Sequence, residues 1–177
     1  MTIFAIIAVI LVIAVAGVLA YAATKPATFR IERSLAVKAP PDKLFALIND
    51  FRQWRGWSPW ENIDPGLARD YTGASSGRGA AYAWVGKKAG QGRMEIMESV
   101  PPSKIVIKLD FIKPFEAHNT AEFTLTPMGD ATNVNWAMTG PNLYIGKVMS
   151  VFMNMDKMVG KSFEEGLANM KRLAEAP

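Results

Sequence analysis

The stretch VMSVFMNMDKMVGKSF, Val148 to Phe163, sets four methionines and two phenylalanines at helical spacing. Carried on toward the C-terminus, Val148, Phe152, Met155, Val159, Phe163, Leu167, Met170 and Leu173 recur at steps of three and four residues, while Lys157, Lys161, Glu164 and Lys171 fall elsewhere. The pattern predicts one helix of more than twenty residues. Its stripe needs a broad apolar surface to lie on, which the rest of the chain has to supply. Met155 and Met170 read as core filling. Met149 and Met153 lie on an adjoining face, where a flexible thioether suits an adaptable pocket or a membrane surface.

That surface is legible upstream. Phe29, Ile31, Leu35 and Val37 alternate with Arg30, Glu32, Ser34 and Lys38, which gives a first strand with Arg33 on its buried side. Pro40 and Pro41 close it and open a helix of about three turns, with Asp42 in the first turn and Leu44, Phe45, Leu47 and Ile48 as its apolar face. Strand-like runs follow around Ala80–Val85, Gly92–Val100, Lys104–Ile112, Phe115–Leu125 and Thr132–Thr139, separated by turn signals such as Pro101-Pro102-Ser103 and Met128-Gly129-Asp130. This is the pattern of an antiparallel meander. Ile105, Ile107, Leu109 and Phe111 share one face, as do Ala117, Asn119, Ala121, Phe123 and Leu125, and as do Val134, Trp136 and Met138. The expected class is α+β, a curved antiparallel sheet wrapped around the long C-terminal helix.

The N-terminus is different in kind. No charged residue occurs from Ile3 to Ala23, and 21 residues at 1.5 Å each span roughly 31 Å, the thickness of a bilayer's hydrocarbon core. The expected organisation is a membrane anchor over residues 1–24, a tether at 25–28 and a folded domain over 29–177. Ala20-Tyr21-Ala22 has the small-x-small form of a signal cleavage site, but no Lys or Arg precedes the apolar run, which favours a retained anchor. Lys25, Arg30, Arg33 and Lys38 follow the span and place the domain on the cytoplasmic side, with a secreted or periplasmic domain after cleavage as the alternative.

Composition removes several functions. There is no cysteine, hence no disulfide and no thiol nucleophile, and a lone histidine, His118, hence no multi-histidine zinc site. Strand alternation assigns His118 to the solvent face with Glu116, Thr120 and Glu122. The net charge of +4 comes from 20 basic and 16 acidic residues spread without a cluster, so nucleic acid is not an expected partner. The glycine-rich Gly73–Gly79 loop lacks the Lys-Ser/Thr of a phosphate-cradling loop, and no cofactor is expected. Glu164 and Glu165 are adjacent on a helix, point about 100° apart and read as solvated charge.

Three stretches carry a resemblance: RSLAVKAPPDKLFALIND, WRGWSPW and MDKMVGKSFEEGLANMKRL. With the order of elements, they resemble the polyketide cyclase and lipid-transfer (SRPBCC) superfamily, whose fold is called the helix grip, START-like or Bet v 1-like. The likeness covers about Phe29 to Leu173 and excludes the apolar N-terminus. It implies a deep pocket between long helix and concave sheet, used across relatives for lipids, quinones, sterols, plant hormones and polyketides.

On that footing the expected pocket residues are Tyr82, Trp84, Phe111, Asn119, Phe123 and Trp136 from the sheet, and Met155, Val159 and Phe163 from the helix. In FRQWRGWSPW the tryptophans recur every third residue; sealing the join of helix and sheet is one role, and Trp57 and Trp60 at the pocket mouth is the other. Asn119 and Glu98 both alternate onto the buried face, where an unpaired polar group costs about 1–3 kcal/mol, unless a strand bulge turns them outward. The leading expectation is a membrane-anchored carrier of a small hydrophobic molecule or lipid. The alternatives are a cyclase, dehydratase or hydrolase with Glu98 as base and Asn119 polarising a carbonyl, and a membrane-tethered module that recruits a protein through an exposed apolar patch over a filled core.

Overall fold

The computed structural model describes residues 2–176. Helix α1, Ile3–Ala23, is apolar on every side and exposed along its length, with Ala22 its one buried residue. It stops where polar residues begin: the Thr24 hydroxyl donates to the Tyr21 carbonyl at 2.7 Å, and Pro26 follows.

Strand β1, Thr28–Val37, starts one residue before the expected Phe29 and buries Ile31 and Val37 on its inner side. Helix α2, Pro41–Asn49, carries its proline where no amide partner is needed and buries Leu44, Phe45 and Ile48. Two 3-10 turns, Gln53–Gly56 and Pro59–Asn62, lead into the meander: β2 Ala68–Gly73, β3 Ala80–Gly86, β4 Gly90–Val100, β5 Lys104–Lys113, β6 Ala117–Met128 and β7 Ala131–Pro141. The strands form one seven-stranded antiparallel sheet in the order β1-β7-β6-β5-β4-β3-β2. First and last strands therefore pair, Ile31 opposite Met138 and Leu35 opposite Val134, and the sheet curls around its inner face.

Strand β2 was not expected. Its sequence ARDYTG is half polar and carries one aromatic, and it forms an edge whose partner β3 supplies the apolar contact. The β2–β3 hairpin closes on glycines, and at Gly73 a side chain would run into the Gly79 carbonyl, at a φ of +74°.

The closing helix differs more. The stripe predicted as one helix is two, α3 Tyr144–Phe152 and α4 Met155–Glu175. Met153 turns extended (φ −127°, ψ 130°), and the Asn154 side chain accepts the Lys157 amide at 2.9 Å as an N-cap. The break shifts the phase of the stripe, so Phe152 and Met155 are exposed, as is Leu173 at the far end. Met155 is thus not core filling, whereas Met170 is fully buried.

Helix α4 lies along β1 on the inner face and buries Gly160, Phe163, Gly166, Leu167, Met170 and Ala174. Arg33 points inward from β1 as expected and crosses the helix at Gly160, where a Cβ would strike its guanidinium. It donates to Asp156 at 3.0 Å and to Glu164 at 2.7 Å, and these bonds, Asp156 first, raise its pKa above the usual arginine value. Glu164 is a strap between helix and sheet rather than plain solvated charge.

Candidate functional site

The site is built from the turn after α2. The end of that helix leaves carbonyls without helical partners, and two indoles satisfy them: Trp54 Nε1 donates to Ile48 O at 2.9 Å and Trp57 Nε1 to Leu47 O at 3.0 Å. Both rings are thereby fixed in the core, with Trp57 only 1 % exposed. The expectation of Trp57 at a pocket mouth is corrected: its polar edge is spent on capping α2. Trp60, on the next turn, does face the pocket.

That pocket is a cavity of about 190 Å³ between α4, the aromatic turn and the concave sheet. Of the residues expected to line it, Trp60, Tyr82, Trp84, Phe111, Trp136, Val159 and Phe163 do so. The ring of Trp136 stacks on Phe163 with centroids 4.2 Å apart and planes 7° apart, and on its other side on Phe123 at 4.8 Å. Phe123 lies in that stack and does not line the cavity, wedged edge-on by Trp54 and Trp57 at 5.9 and 6.1 Å. Met155 sits one turn before Val159, outside the cavity.

The polar expectations divide. Asn119 is on the inner face and 7 % exposed, but it packs against Gly140 and does not line the cavity; its Oδ1 has no hydrogen-bond partner among the described residues. Glu98 is turned out to solvent by a bulge between Ile96 and Glu98 and pairs with Lys104 at 3.2 Å. Alternation assigned it inward because one extra residue in a strand reverses every following side chain. His118 stays on the outer face, against Asp110 at 2.8 Å and Glu116 at 3.2 Å.

The carboxylate in the cavity wall is one the sequence reading passed over, Glu61, which is 6 % exposed. Its Oε1 accepts the Tyr82 hydroxyl at 2.7 Å and its Oε2 accepts Arg69 Nε at 2.6 Å, while Arg69 Nη2 reaches the Glu61 carbonyl at 2.9 Å. Burial, and then the bond to Glu61, pushes the Tyr82 phenol well above its ordinary range, so it is neutral and a donor. The bond to Glu61 raises the Arg69 pKa in turn. Tyr71 stacks on Tyr82 at 5.0 Å and 16°. No periodicity marks Glu61, because a 3-10 turn has no face to read, and its partner Arg69 lies on the unexpected strand.

A carboxylate presents about four lone-pair sites, and Tyr82 and Arg69 take two. The cavity therefore combines aromatic walls with one charge-compensated acceptor. Fold and cavity together define a helix-grip protein, with a pocket between sheet and closing helix. The family model for polyketide cyclase / dehydrase and lipid transport matches residues 28–175, and the chain belongs to that family. Among solved structures it is similar to a protein of Chromobacterium violaceum (15 % identity, TM-score 0.60, covering 86 % of this chain and 100 % of that one). It is similar also to the Aha1 dimer from Colwellia psychrerythraea (16 %, 0.56, 83 % and 96 %). The di-domain ARO/CYC BexL from the BE-7585A biosynthetic pathway matches at 15 % and 0.63, over 90 % of this chain and 54 % of that one. At such identities the likeness is one of fold. No curated protein matches the chain.

Proposed function

We propose that this chain is a membrane-tethered binding protein that takes a small apolar molecule into the cavity under α4. The observation that carries the reading is the cavity itself, aromatic-walled, about 190 Å³ and with a single carboxyl group, that of Glu61, in its wall. An apolar cavity of about 150 Å³ admits benzene, so this one suits one or two rings or a short alkyl chain, with Glu61 accepting from any hydroxyl the ligand carries. Tethering comes from α1, whose length and uniform apolarity fit a bilayer span, with the basic residues after it on the cytoplasmic side. An apolar ligand partitions into the membrane, and a tethered pocket meets it there at high local concentration.

The test is native mass spectrometry of the full chain released from nanodiscs, with identification of co-purified small molecules and fluorescence titration of 2-naphthol, a two-ring phenol of the size the cavity suits. A stoichiometric adduct, and probe binding lost on filling the cavity by Ala121→Phe, is the expected result. A clean apo mass with no probe uptake by the wild-type chain would overturn the reading.

One observation favours a second reading, an enzyme of the cyclase or dehydratase kind. Glu61 and the Tyr82 phenol are the two titratable groups in the wall, and they touch. With the hydroxyl already donated to the carboxylate and Arg69 on its other oxygen, neither is aimed at a ligand as separate acid and base, so binding is the better-supported function. Turnover of a bound compound that is lost in Glu61→Gln, with binding kept, would reverse that order.

A further inference from the structure

The core and the cavity leave one segment unused. On α3, Ile145, Met149 and Phe152 lie at i, i+4 and i+7 on one face and are 64 %, 43 % and 73 % exposed. The turn that follows continues the surface with Met153, Met155 and Met158, all exposed. Nothing among the described residues covers this face, and its six apolar side chains are contiguous in the chain segment 145–158 rather than scattered singly.

What lies beside it is α1. The Tyr144 hydroxyl donates to the Leu19 carbonyl at 3.0 Å, and Ala22 is buried where the two helices pack. Leu19 is four residues short of the end of α1, about 6 Å at 1.5 Å per residue, so the Tyr144 hydroxyl reaches the last turns of the apolar span. At its other end the α3–α4 turn abuts Lys25, the first charge after the span: Lys25 borders a surface depression with Phe152, Met153 and Met155. The Lys25 ammonium also lies over the Tyr21 ring at 5.0 Å. Side chains of α3 and of the turn after it thus meet α1 and the residues just beyond it between Leu19 and Lys25, at the end of the apolar span. An amphipathic helix at the end of a span meets the headgroup boundary, into which such helices sink their apolar face by about 5–10 Å.

Charge and side-chain type agree with that depth. Tyr21 and Tyr144 stand where interfacial aromatics collect, and Lys25, Lys147 and Lys157 are the nearby cations for anionic headgroups. The acid among them, Asp156, is held by Arg33.

We infer that α3 and the turn into α4, Tyr144 to Met158, form a second membrane contact that lies in the leaflet from which α1 emerges. The inference rests on α1 being a span, as proposed above. It sets the first turn of α4 against the leaflet, one turn before Val159 in the cavity wall.

The chain has no cysteine, so single substitutions give clean labelling sites. The full chain is placed in vesicles of phosphatidylcholine and phosphatidylglycerol, with NBD attached at Leu11→Cys in the middle of α1, at Phe152→Cys, or at Met128→Cys on the exposed β6–β7 hairpin. Emission is read with ordinary and with brominated acyl chains. The expected result is blue-shifted emission, largely lost to brominated lipid, at positions 11 and 152, with a water-like and unquenched label at 128. Quenching at 11 but water-like emission at 152 keeps the span and overturns the second contact. A blue shift at 152 without quenching overturns it too, and means that a second copy of the chain covers the face. No quenching at 11 removes the span and the inference with it. All three labelled positions are exposed, so the substitutions leave the packed core alone.

Discussion

Glu61 shows what one buried charge commits a fold to. Its carboxylate is 5 % exposed, and it is tolerated because Tyr82 and Arg69 both donate to it. Removing one partner of such a pair costs about 3 kcal/mol, because the other charge stays buried. Arg69→Met is expected to lose about that much in urea unfolding followed by tryptophan emission, and Glu61→Leu in the same chain to restore most of it. A loss in the double variant equal to the sum of the two single losses would mean that the pair is not coupled. His118 gives a weaker, pH-linked effect. Its bond to Asp110, then that to Glu116, raises its pKa in the folded chain, so folding takes up protons near neutrality. The contribution is complete below about pH 6.5, the unfolded value, and is lost as pH rises through the higher folded value. Because the ring is exposed the change is small: the melting temperature should fall slightly on raising the pH through that window, and His118→Gln should remove the slope.

Among the elements, α4 depends on glycines that the helical pattern treats as defects. Gly166 is buried where a Cβ would stand 2.8 Å from Trp136 Cζ3 and 3.2 Å from Pro59 Cδ. Alanine gains about 1 kcal/mol of helix propensity, whereas overpacking a filled core costs about 1–3 kcal/mol. The collision prevails, since stacking on Phe163 and Phe123 holds the indole in place and Pro59 stands on the other side of the added methyl. Gly166→Ala is expected to destabilise by about 1 kcal/mol net in denaturant titration, and a gain in stability would show that the aromatic stack yields. The break between α3 and α4 follows the same logic of local chemistry. Asn154 caps the second helix, and the residues before it follow α1 instead of the sheet.

For the whole molecule, the packing divides the chain near the tether. The core cluster runs from Ile31 to Ala174 and takes nothing from α1, which packs against α3. A chain lacking residues 1–24 is therefore expected to keep its sheet signal in circular dichroism and a melting temperature close to that of the full chain. It should also associate or bind detergent through the side of α3 that α1 no longer covers. Loss of cooperative melting in that variant would show that α1 is part of the folding unit.

The family resemblance supplied the expectation of a pocket, which seven of the named residues line, whereas the meander, the inward Arg33 and the solvent-facing His118 follow from periodicity and turn chemistry, because side-chain alternation is a local property of the backbone. Three features do not. Glu98 depended on a bulge, which one residue decides and no pattern announces. Trp57 depended on which orphan carbonyls its indole reached. Glu61 depended on a 3-10 turn meeting a strand eight residues on, so that Arg69 and Tyr82 arrive at one carboxylate. The amino-acid pattern by itself determined an apolar N-terminal helix and a helix-grip domain. Only the tertiary structure decided which acid sits in the wall and where the closing stripe divides, because both are settled by contacts between segments distant in the chain.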